Sequence, residues 1–219
     1  AFHSDVAGLP GPWTGPLNAA NCDSAKALLQ TISEAVFATA VEDNFQARSW
    51  LHQWLTCLPG YLDWLIKRQP YWQLRAVEVK AERDISEHLR LKGRIDRIDQ
   101  HLGRLAVVDY KTGKPPSKDD VLHGEAVQLS SYALLLDTPV ERLDYLELGK
   151  DGVKPTTCAQ GKDLQPLLQR VEQRLTVMDR ALQQATPLPA WGDDKVCGYC
   201  EFSGLCRRDT WPQEEDNHD

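Results

Sequence analysis

Residues 107–114 read VVDYKTGK. Two valines of an apolar run are followed by an acid, an aromatic residue and a lysine, and then by a Thr-Gly pair that is typical of a turn. Side chains two residues apart on a strand point to the same face, so Asp109 and Lys111 point together and Tyr110 points away. The stretch therefore predicts a strand rooted in the core that ends in a carboxylate and an ammonium on one face.

The chain before this stretch shows the helical spacing of apolar residues. The Gly- and Pro-rich segment 1–20 predicts a loop, and helices are predicted at about 23–40 and 44–67. Pro59 and Gly60 lie inside the second helix, where a proline removes a backbone donor and clashes with the preceding turn. We therefore expect the second helix to break or kink at this point.

From residue 76 the apolar period changes from 3.6 to 2. Alternation predicts three strands joined by short links as an antiparallel meander, at 76–85, 89–100 and 103–113. The pattern then predicts a helix, a fourth strand, a fifth strand broken by Pro155 and an amphipathic helix, at about 125–136, 140–149, 152–159 and 163–185. The expected fold class is α/β, with a mixed central sheet that starts with an antiparallel meander and is flanked by helices.

The 219 residues are 42% hydrophobic and 26% charged, with a net charge of −7. This composition is typical of a globular protein with a real core, and the negative charge argues against a protein that coats nucleic acid. No apolar run approaches the about 18 residues of a membrane span, and residues 1–13 lack the regions of a signal peptide. We therefore expect a cytoplasmic protein without a membrane partner; the missing initiator Met suggests a fragment of a longer protein or a processed chain.

Two more acids fall on the meander. Glu78 lies in the middle of its strand, and Asp96 follows a glycine that permits close approach of the backbone. Adjacent antiparallel strands can bring both acids near Asp109. Three clustered carboxylates would repel each other unless a cation neutralised them, and oxygen ligands favour Mg²⁺ or Mn²⁺. Such a site suits phosphodiester hydrolysis; the alternatives are a solvated charged sheet face and, for Glu78, an ion pair with Lys80 or Arg94.

Three motifs stand in order along the chain: GRIDRID at 93–99, VVDYKTG at 107–113 and QLSSY at 128–132. Together they resemble the RecB-type nuclease branch of the PD-(D/E)XK superfamily, and more closely the C-terminal nuclease domain of AddB-like double-strand-break repair proteins. The resemblance implies a restriction-endonuclease-like core and a metal-dependent exonuclease that acts on DNA in repair and recombination. It also implies a partner, either a helicase-nuclease subunit or the rest of the same chain.

The resemblance implies metal ligands. Asp96 and Asp109 match the metal-binding acids of the family, and Tyr110 would contribute its backbone carbonyl. His3 is a candidate for the upstream metal-ligating histidine of the family, because AFH followed by a helical region loosely matches that element. The implied metal is Mg²⁺ or Mn²⁺.

The resemblance also implies residues that support catalysis. Lys111 matches the lysine of the D-x-K pair and would position the attacking water. Gln128 and Tyr132 match a Q-x-x-x-Y helix motif, and their spacing puts both on one helix face; the alternative is an ordinary half-buried helix face. Glu78 would be an accessory acid.

Three cysteines near the C-terminus, Cys197, Cys200 and Cys206, form a C-x2-C-x5-C run. Thiolates at this spacing can bind a metal or one edge of a cluster, and a disulfide or buried free thiols are the alternatives. In the AddB-like resemblance the triplet supplies three ligands of a [4Fe–4S] cluster that joins the ends of the domain. The fourth ligand comes from far upstream, where Cys22 is the better candidate and Cys57 looks like a core residue.

With this resemblance the chain divides into four expected segments: a helical segment that packs on the core at 1–75, the catalytic core at 76–160, a helix with the cysteine cluster at 161–210 and a disordered tail at 211–219. Basic residues around the site could form a phosphate-binding strip or merely solvate strand edges: Lys92, Arg94, Arg97, Lys111, Lys114, Lys118, Arg207 and Arg208. Two other functions stay open. One is a catalytically silent DNA-binding or scaffolding module of the same fold, and the other is an interaction domain stabilised by iron–sulfur or zinc.

Overall fold

A computed structural model describes residues 1–187 and 197–206. The described residues fall into two compact units that divide after Leu175. The predicted tail at 211–219 lies outside the described residues, as do Arg207 and Arg208. In the described part of the chain no helix is long and apolar enough to cross a membrane.

Two long helices precede the sheet, α1 at Cys22–Asp43 and α2 at Phe45–Arg68. Asn44 lies between them and caps α2, because its side chain accepts two backbone hydrogen bonds from the first turn. Of the expected break or kink at Pro59, the break does not occur, since α2 continues through this residue. Apolar residues on both sides of Pro59 are buried, including Leu58, so packing outweighs the lost backbone hydrogen bond.

Five strands form one mixed sheet in the order β1-β2-β3-β4-β5. Their bounds are Gln73–Asp84, Arg90–His101, Arg104–Lys111, Val140–Gly149 and Gly152–Gln160. Strands β1 to β3 form the predicted antiparallel meander, β3 and β4 pair in parallel, and β5 returns antiparallel to β4. The predicted α/β fold class is confirmed, and the mixed sheet is consistent with a restriction-endonuclease-like core.

The predicted break of β5 at Pro155 is wrong. Pro155 pairs with Leu146 in the middle of the strand. Strand β5 is an edge strand of the sheet, where a missing backbone donor is tolerated.

The parallel β3–β4 pair requires a crossover connection. It contains two short helices, α3 at Lys118–Leu122 and α4 at Gln128–Leu134, in place of the single helix predicted from residue 125. The crossover brings α4 back over β2, β3 and β4. Gln128 is therefore the first residue of a helix that lies directly on the sheet.

Each face of the sheet has its own core. On one face α4 and the start of α5, Leu164–Gln183, pack against Val107. On the other face the N-terminal segment, α1 and α2 pack against Val108. Both valines are fully buried, so the apolar pair in VVDYKTGK anchors β3 in two cores at once. A 3₁₀ helix, Gly161–Asp163, precedes α5, and α6, Ser203–Cys206, belongs to the second unit.

Candidate active site

Asp109 and Lys111 end β3, under α4. Nζ of Lys111 lies 2.8 Å from Oδ2 of Asp109, and the side chains are 28% and 2% exposed. Burial raises the pKa of Asp109, the Lys111 ammonium opposes that rise and the charge of Asp96 adds to it. The end of β3 therefore presents a buried acid beside an ammonium that reaches solvent.

Gln128 joins this pair to the helix. Lys111 donates to Oε1 of Gln128 at 2.6 Å. The Nε2 group of Gln128 donates to Oδ1 of Asp109 at 2.7 Å and to the hydroxyl of Tyr132 at 3.0 Å. The structure thus brings four of the predicted site residues into one hydrogen-bonded chain.

Gly93 explains how α4 comes so close to β2. A Cβ at this position would lie 2.8 Å from Cδ1 of Leu135 and 3.1 Å from Cε1 of Tyr132. No Cβ fits at 2.8 Å without a shift of its neighbours. The glycine of GRIDRID therefore lets the Tyr132 ring lie against the strand.

Asp96 lies where β2 and β3 separate. The ladder between these strands ends at the pair Arg97 and Val108. One step further on, Oδ2 of Asp96 accepts a hydrogen bond from the backbone N–H of Tyr110 at 3.0 Å. The carboxylate of Asp96 is thus fixed to β3 next to Asp109.

The donor set of the two acids fits a hard divalent cation. Oδ2 of Asp109 is buried against the Lys111 ammonium and meets no other hydrogen-bond donor among the described residues. Mg²⁺ usually binds one or two carboxylates and completes its shell with water and substrate phosphate. The predicted cluster of three carboxylates is absent from the described residues, which gather no three His, Cys, Asp or Glu side chains around one point. The two acids would therefore leave positions in the shell of a cation to water and substrate phosphate.

For Glu78 the structure forms an ion pair, which was the alternative to a role in the site. Its carboxylate pairs with the guanidinium of Arg94, and the side chain is 53% exposed. Its backbone has φ of +55°, a conformation that costs energy for a residue with a side chain. Glu78 therefore lies at the rim of the site and does not join the hydrogen-bonded chain around Asp109.

His3 lies beside Asp96 but already has polar neighbours. Both residues line a cavity of about 480 Å³ together with Glu78 and Tyr110. Nε2 of His3 lies 2.7 Å from the hydroxyl of Tyr61 and 3.4 Å from Nη1 of Arg97.

Burial and the charge of Arg97 lower the pKa of His3 to about 3, so the ring is neutral, as a metal ligand must be. The segment after His3 is the predicted loop, and the first helix begins at Cys22.

Tyr145 is a residue of the site that sequence reasoning missed. It is fully buried on β4 and pairs with Asp109 in the sheet register. Its ring centroid lies 5.5 Å from Nζ of Lys111, within the range of a cation–π contact. Its hydroxyl has no hydrogen-bond partner among the described residues. Burial and then the charge of Asp109 raise the pKa of Tyr145. The sequence carried no signal, because a tyrosine in VERLDYLELG reads as an ordinary core residue.

A buried ion network, also missed, crosses the face of the sheet under α2. Arg68 donates to Asp99 at 2.5 Å and to Asp144 at 2.8 Å. Arg97 pairs with Asp99 and Arg142 with Asp144, each at 2.8 Å. The last residue of α2 is thereby tied to both β2 and β4.

This network corrects the predicted phosphate-binding strip. Arg97 is 3% exposed, so it belongs to the buried network and not to a surface strip. Arg94 pairs with Glu78, and Lys92 lies 3.1 Å from Glu82. Lys111 is the strip residue that reaches the site.

The cysteines do not form a ligand set in the structure. All six are free thiols. Cys22 belongs to the first compact unit, and Cys197, Cys200 and Cys206 to the second. In residues 1–187 and 197–206 no three potential ligands are gathered, so the predicted [4Fe–4S] cluster stays a prediction.

Comparison with known proteins agrees with this geometry. The model of the PD-(D/E)XK nuclease superfamily matches residues 2–207. The Gene 69 protein of Mycobacterium phage L5 is 30% identical over 123 residues, which are 54% of this chain and 40% of that protein. The chain therefore spans less than half of that relative. The crystal structure of SSO0001 aligns over 81% of this chain and 80% of its own at 17% identity, with a TM-score of 0.39, too low to carry an argument.

Proposed function

Because the chain belongs to the PD-(D/E)XK nuclease superfamily, we propose that it is a catalytically competent, Mg²⁺- or Mn²⁺-dependent nuclease domain that hydrolyses phosphodiester bonds of DNA. The observation that carries the proposal is the Gln128 amide, which contacts both Asp109 and Lys111. If Asp109 and Lys111 were ordinary surface residues, no partly buried amide would be expected to bond to both of them.

The residues that would hold the cation are Asp109, Asp96 and the backbone carbonyl of Tyr110. When bound, the cation would neutralise charge on the scissile phosphate and make a water more acidic. Lys111 sits beside Asp109 with its ammonium partly open to solvent, where it can orient a water and offset charge on the phosphate. Gln128 fixes the direction of both side chains, and Tyr132 fixes Gln128.

We propose further that the domain acts as an exonuclease in double-strand-break repair or recombination, within a larger helicase-nuclease protein or beside such a partner. The order and spacing of the RecB- and AddB-like motifs support this narrower role. The partial coverage of the phage relative is compatible with a domain of a larger protein.

A cleavage assay tests the nuclease proposal. Labelled single-stranded DNA is incubated with Mg²⁺, Mn²⁺ or EDTA and with the wild type, Asp109→Ala, Lys111→Ala or the control Lys26→Ala, which changes an exposed lysine of α1. We expect cleavage by the wild type and the control with metal only, and a loss of more than about 100-fold in the two site variants. Equal cleavage by all four proteins would refute the mechanism.

Circular and linear single strands of one sequence separate exonuclease from endonuclease action. An exonuclease degrades the linear strand and leaves the circle intact, so degradation of the circle at the same rate would contradict the exonuclease role.

We also propose that Cys197, Cys200 and Cys206 bind a [4Fe–4S] cluster, with Cys22 as the candidate fourth ligand. The support is the C-x2-C-x5-C spacing alone. Iron analysis and the visible absorbance of protein purified without oxygen test it, and Cys200→Ser should remove the signal. Colourless, iron-free wild-type protein would rule the cluster out.

A catalytically silent DNA-binding module is the second candidate. One observation favours it: the Lys111 ammonium already neutralises Asp109. Such a module would bind single-stranded DNA in EDTA yet cleave nothing with either metal, and Asp109→Ala would leave its binding unchanged.

A further inference from the structure

A second cavity lies under the C-terminal end of α2, away from the D-x-K pair. It measures about 420 Å³ and is lined chiefly by cations and aromatic rings: Trp64, Lys67, Arg68, Tyr71, Trp72 and Arg142. No carboxylate of the described residues lines it, although the chain as a whole carries a net charge of −7. Its size is typical of a site for a small ligand.

The cavity wall has an excess of positive charge. Two of its cations, Arg68 and Arg142, belong to the buried network with Arg97, which does not line the cavity. Among the described residues these three arginines pair with two carboxylates, those of Asp99 and Asp144. Arg68 is 7% exposed, yet its Nη2 group has no hydrogen-bond partner within the described residues. A buried donor without a partner calls for an acceptor. Lys67 adds an exposed ammonium at the mouth. This is the chemistry that binds phosphate oxygens.

The aromatic rings are held in place beside these cations. The guanidinium carbons of Arg68 and Arg97 each lie 5.1 Å from the Trp64 ring. The backbone N–H groups of Tyr71 and Trp72 both donate to the carbonyl of Arg68, at 3.0 Å and 2.9 Å. Tyr71 remains 68% exposed. An open aromatic ring beside fixed cations offers a stacking surface for a nucleobase.

A neighbouring cavity continues this surface. It measures about 480 Å³ and shares Trp72 and Arg142 with the first. Lys162 adds an ammonium to its lining, and Glu141 and Asp163 add two carboxylates. The two cavities share one tryptophan and one arginine in their linings, so together they suit a polymer better than a single small molecule. Arg142 pairs with Ala106 in the sheet, five residues before Lys111 and so about 16 Å along the strand. The surface is therefore separate from the candidate active site.

We propose that these joined cavities bind a segment of single-stranded polynucleotide. One base stacks against Tyr71 and Trp72, and its phosphate contacts the exposed ammonium of Lys67 beside Arg68. This site does not require the domain to be catalytic, because it shares no residue with the chain of contacts around Asp109.

Binding in EDTA tests the proposal, since no strand is cleaved without metal. Fluorescence anisotropy follows a labelled oligodeoxyadenylate at several salt concentrations with the wild type, Tyr71→Ala and Lys67→Ala. We expect Tyr71→Ala to bind about 5- to 100-fold more weakly with an unchanged salt dependence. Lys67→Ala should reduce the slope of log affinity against log salt by about 0.7.

Matched controls are Phe45→Ala, which removes an 85% exposed ring at the other end of α2, and Lys154→Ala, which removes a lysine 52% exposed. Both should bind as the wild type does. An abasic strand of the same length keeps the phosphates and removes the bases, so Tyr71→Ala should leave its binding unchanged.

Two results would overturn the proposal. In the first, Tyr71→Ala and Lys67→Ala bind the labelled strand as the controls do. In the second, free dAMP displaces it as effectively as an unlabelled strand does, which would assign the cavity to a mononucleotide.

Discussion

Gln128 donates from its side-chain amide to the carboxylate of Asp109 at 2.7 Å, and the other end of the same amide accepts from Lys111 at 2.6 Å. One planar group therefore sets the direction of both members of the D-x-K pair. The first turn of α4 thus controls the geometry at the end of β3.

Replacing Gln128 with Leu should lower kcat for DNA cleavage by about 10- to 100-fold, a typical loss when a group that orients a metal ligand is removed. The phosphate-binding groups stay in place, so KM should change little. Ser131→Ala, on the same helix, is the control. An unchanged kcat in Gln128→Leu would show that Lys111 and Asp109 hold their positions without the amide.

Asp109→Asn should make the protein more stable at neutral pH without metal. The pKa of Asp109 is raised, chiefly by burial, so the native state holds this proton more tightly than the unfolded chain and stability falls as pH rises through that pKa. Asparagine removes this cost, and each 1 kcal/mol gained is worth about 2–4 °C in Tm.

Thermal melts of both proteins at pH 7, with and without Mg²⁺, measure the effect. The cation should stabilise the wild type and leave Asp109→Asn unchanged. A lower Tm for Asp109→Asn without metal would contradict the prediction.

His3 should make the protein sensitive to mild acid. Its pKa is about 3 in the native state, lowered from 6.5 by burial and Arg97, so the unfolded chain binds the proton first as pH falls. Stability is therefore lost from about pH 6.5 downward, by up to about 1.4 kcal/mol per pH unit.

His3→Gln should flatten the stability profile between pH 6.5 and 4, measured by urea unfolding at each pH. The exposed His52 on α2 offers a control, and His52→Gln should keep the wild-type slope. Parallel profiles for the wild type and His3→Gln would show that His3 does not set the acid response.

Arg68→Met should cost about 3–5 kcal/mol of unfolding free energy, because it leaves buried carboxylates at Asp99 and Asp144 with one partner fewer. Urea unfolding measures the loss. The exposed pair of Lys154 and Asp151 supplies the control, and Lys154→Met should change stability by less than about 1 kcal/mol.

Neutralising the stranded acids provides the second arm. Arg68→Met combined with Asp99→Asn and Asp144→Asn should recover part of the loss. A triple variant no more stable than Arg68→Met would show that lost packing of the arginine, rather than unpaired charge, accounts for the cost.

Local periodicity predicted the strands and the meander, while the resemblance to RecB-type nucleases singled out Gln128 and Tyr132. The period of two placed Asp109 and Lys111 on one face, and the helical spacing placed Gln128 and Tyr132 together. Both arguments concern neighbours in sequence, where backbone geometry alone decides which side chains meet. The antiparallel meander was predicted because the links between its strands are short.

Contacts distant in sequence were beyond such reasoning. From the sequence no partner was assigned to Asp99, which is buried and accepts a hydrogen bond from Arg68, 31 residues away. Glu78 was expected near Asp109 or in an ion pair with Lys80 or Arg94, and the structure forms the pair with Arg94. Pro59 was expected to break or kink α2, but α2 continues because its neighbours pack in a core. Partners on other elements decide both outcomes.

The buried ion network beneath α2 also has an evolutionary consequence. Arg68, Asp99 and Asp144 form a set in which a change at any one position strands a charge in the interior. Selection should therefore remove single substitutions at these positions. Relatives that lack the three charged residues should have replaced all of them, by apolar residues of similar volume. In an alignment of relatives, the positions of Arg68, Asp99 and Asp144 should covary more strongly with each other than with the D-x-K motif. The residues of that motif are expected to be retained for catalysis rather than for folding.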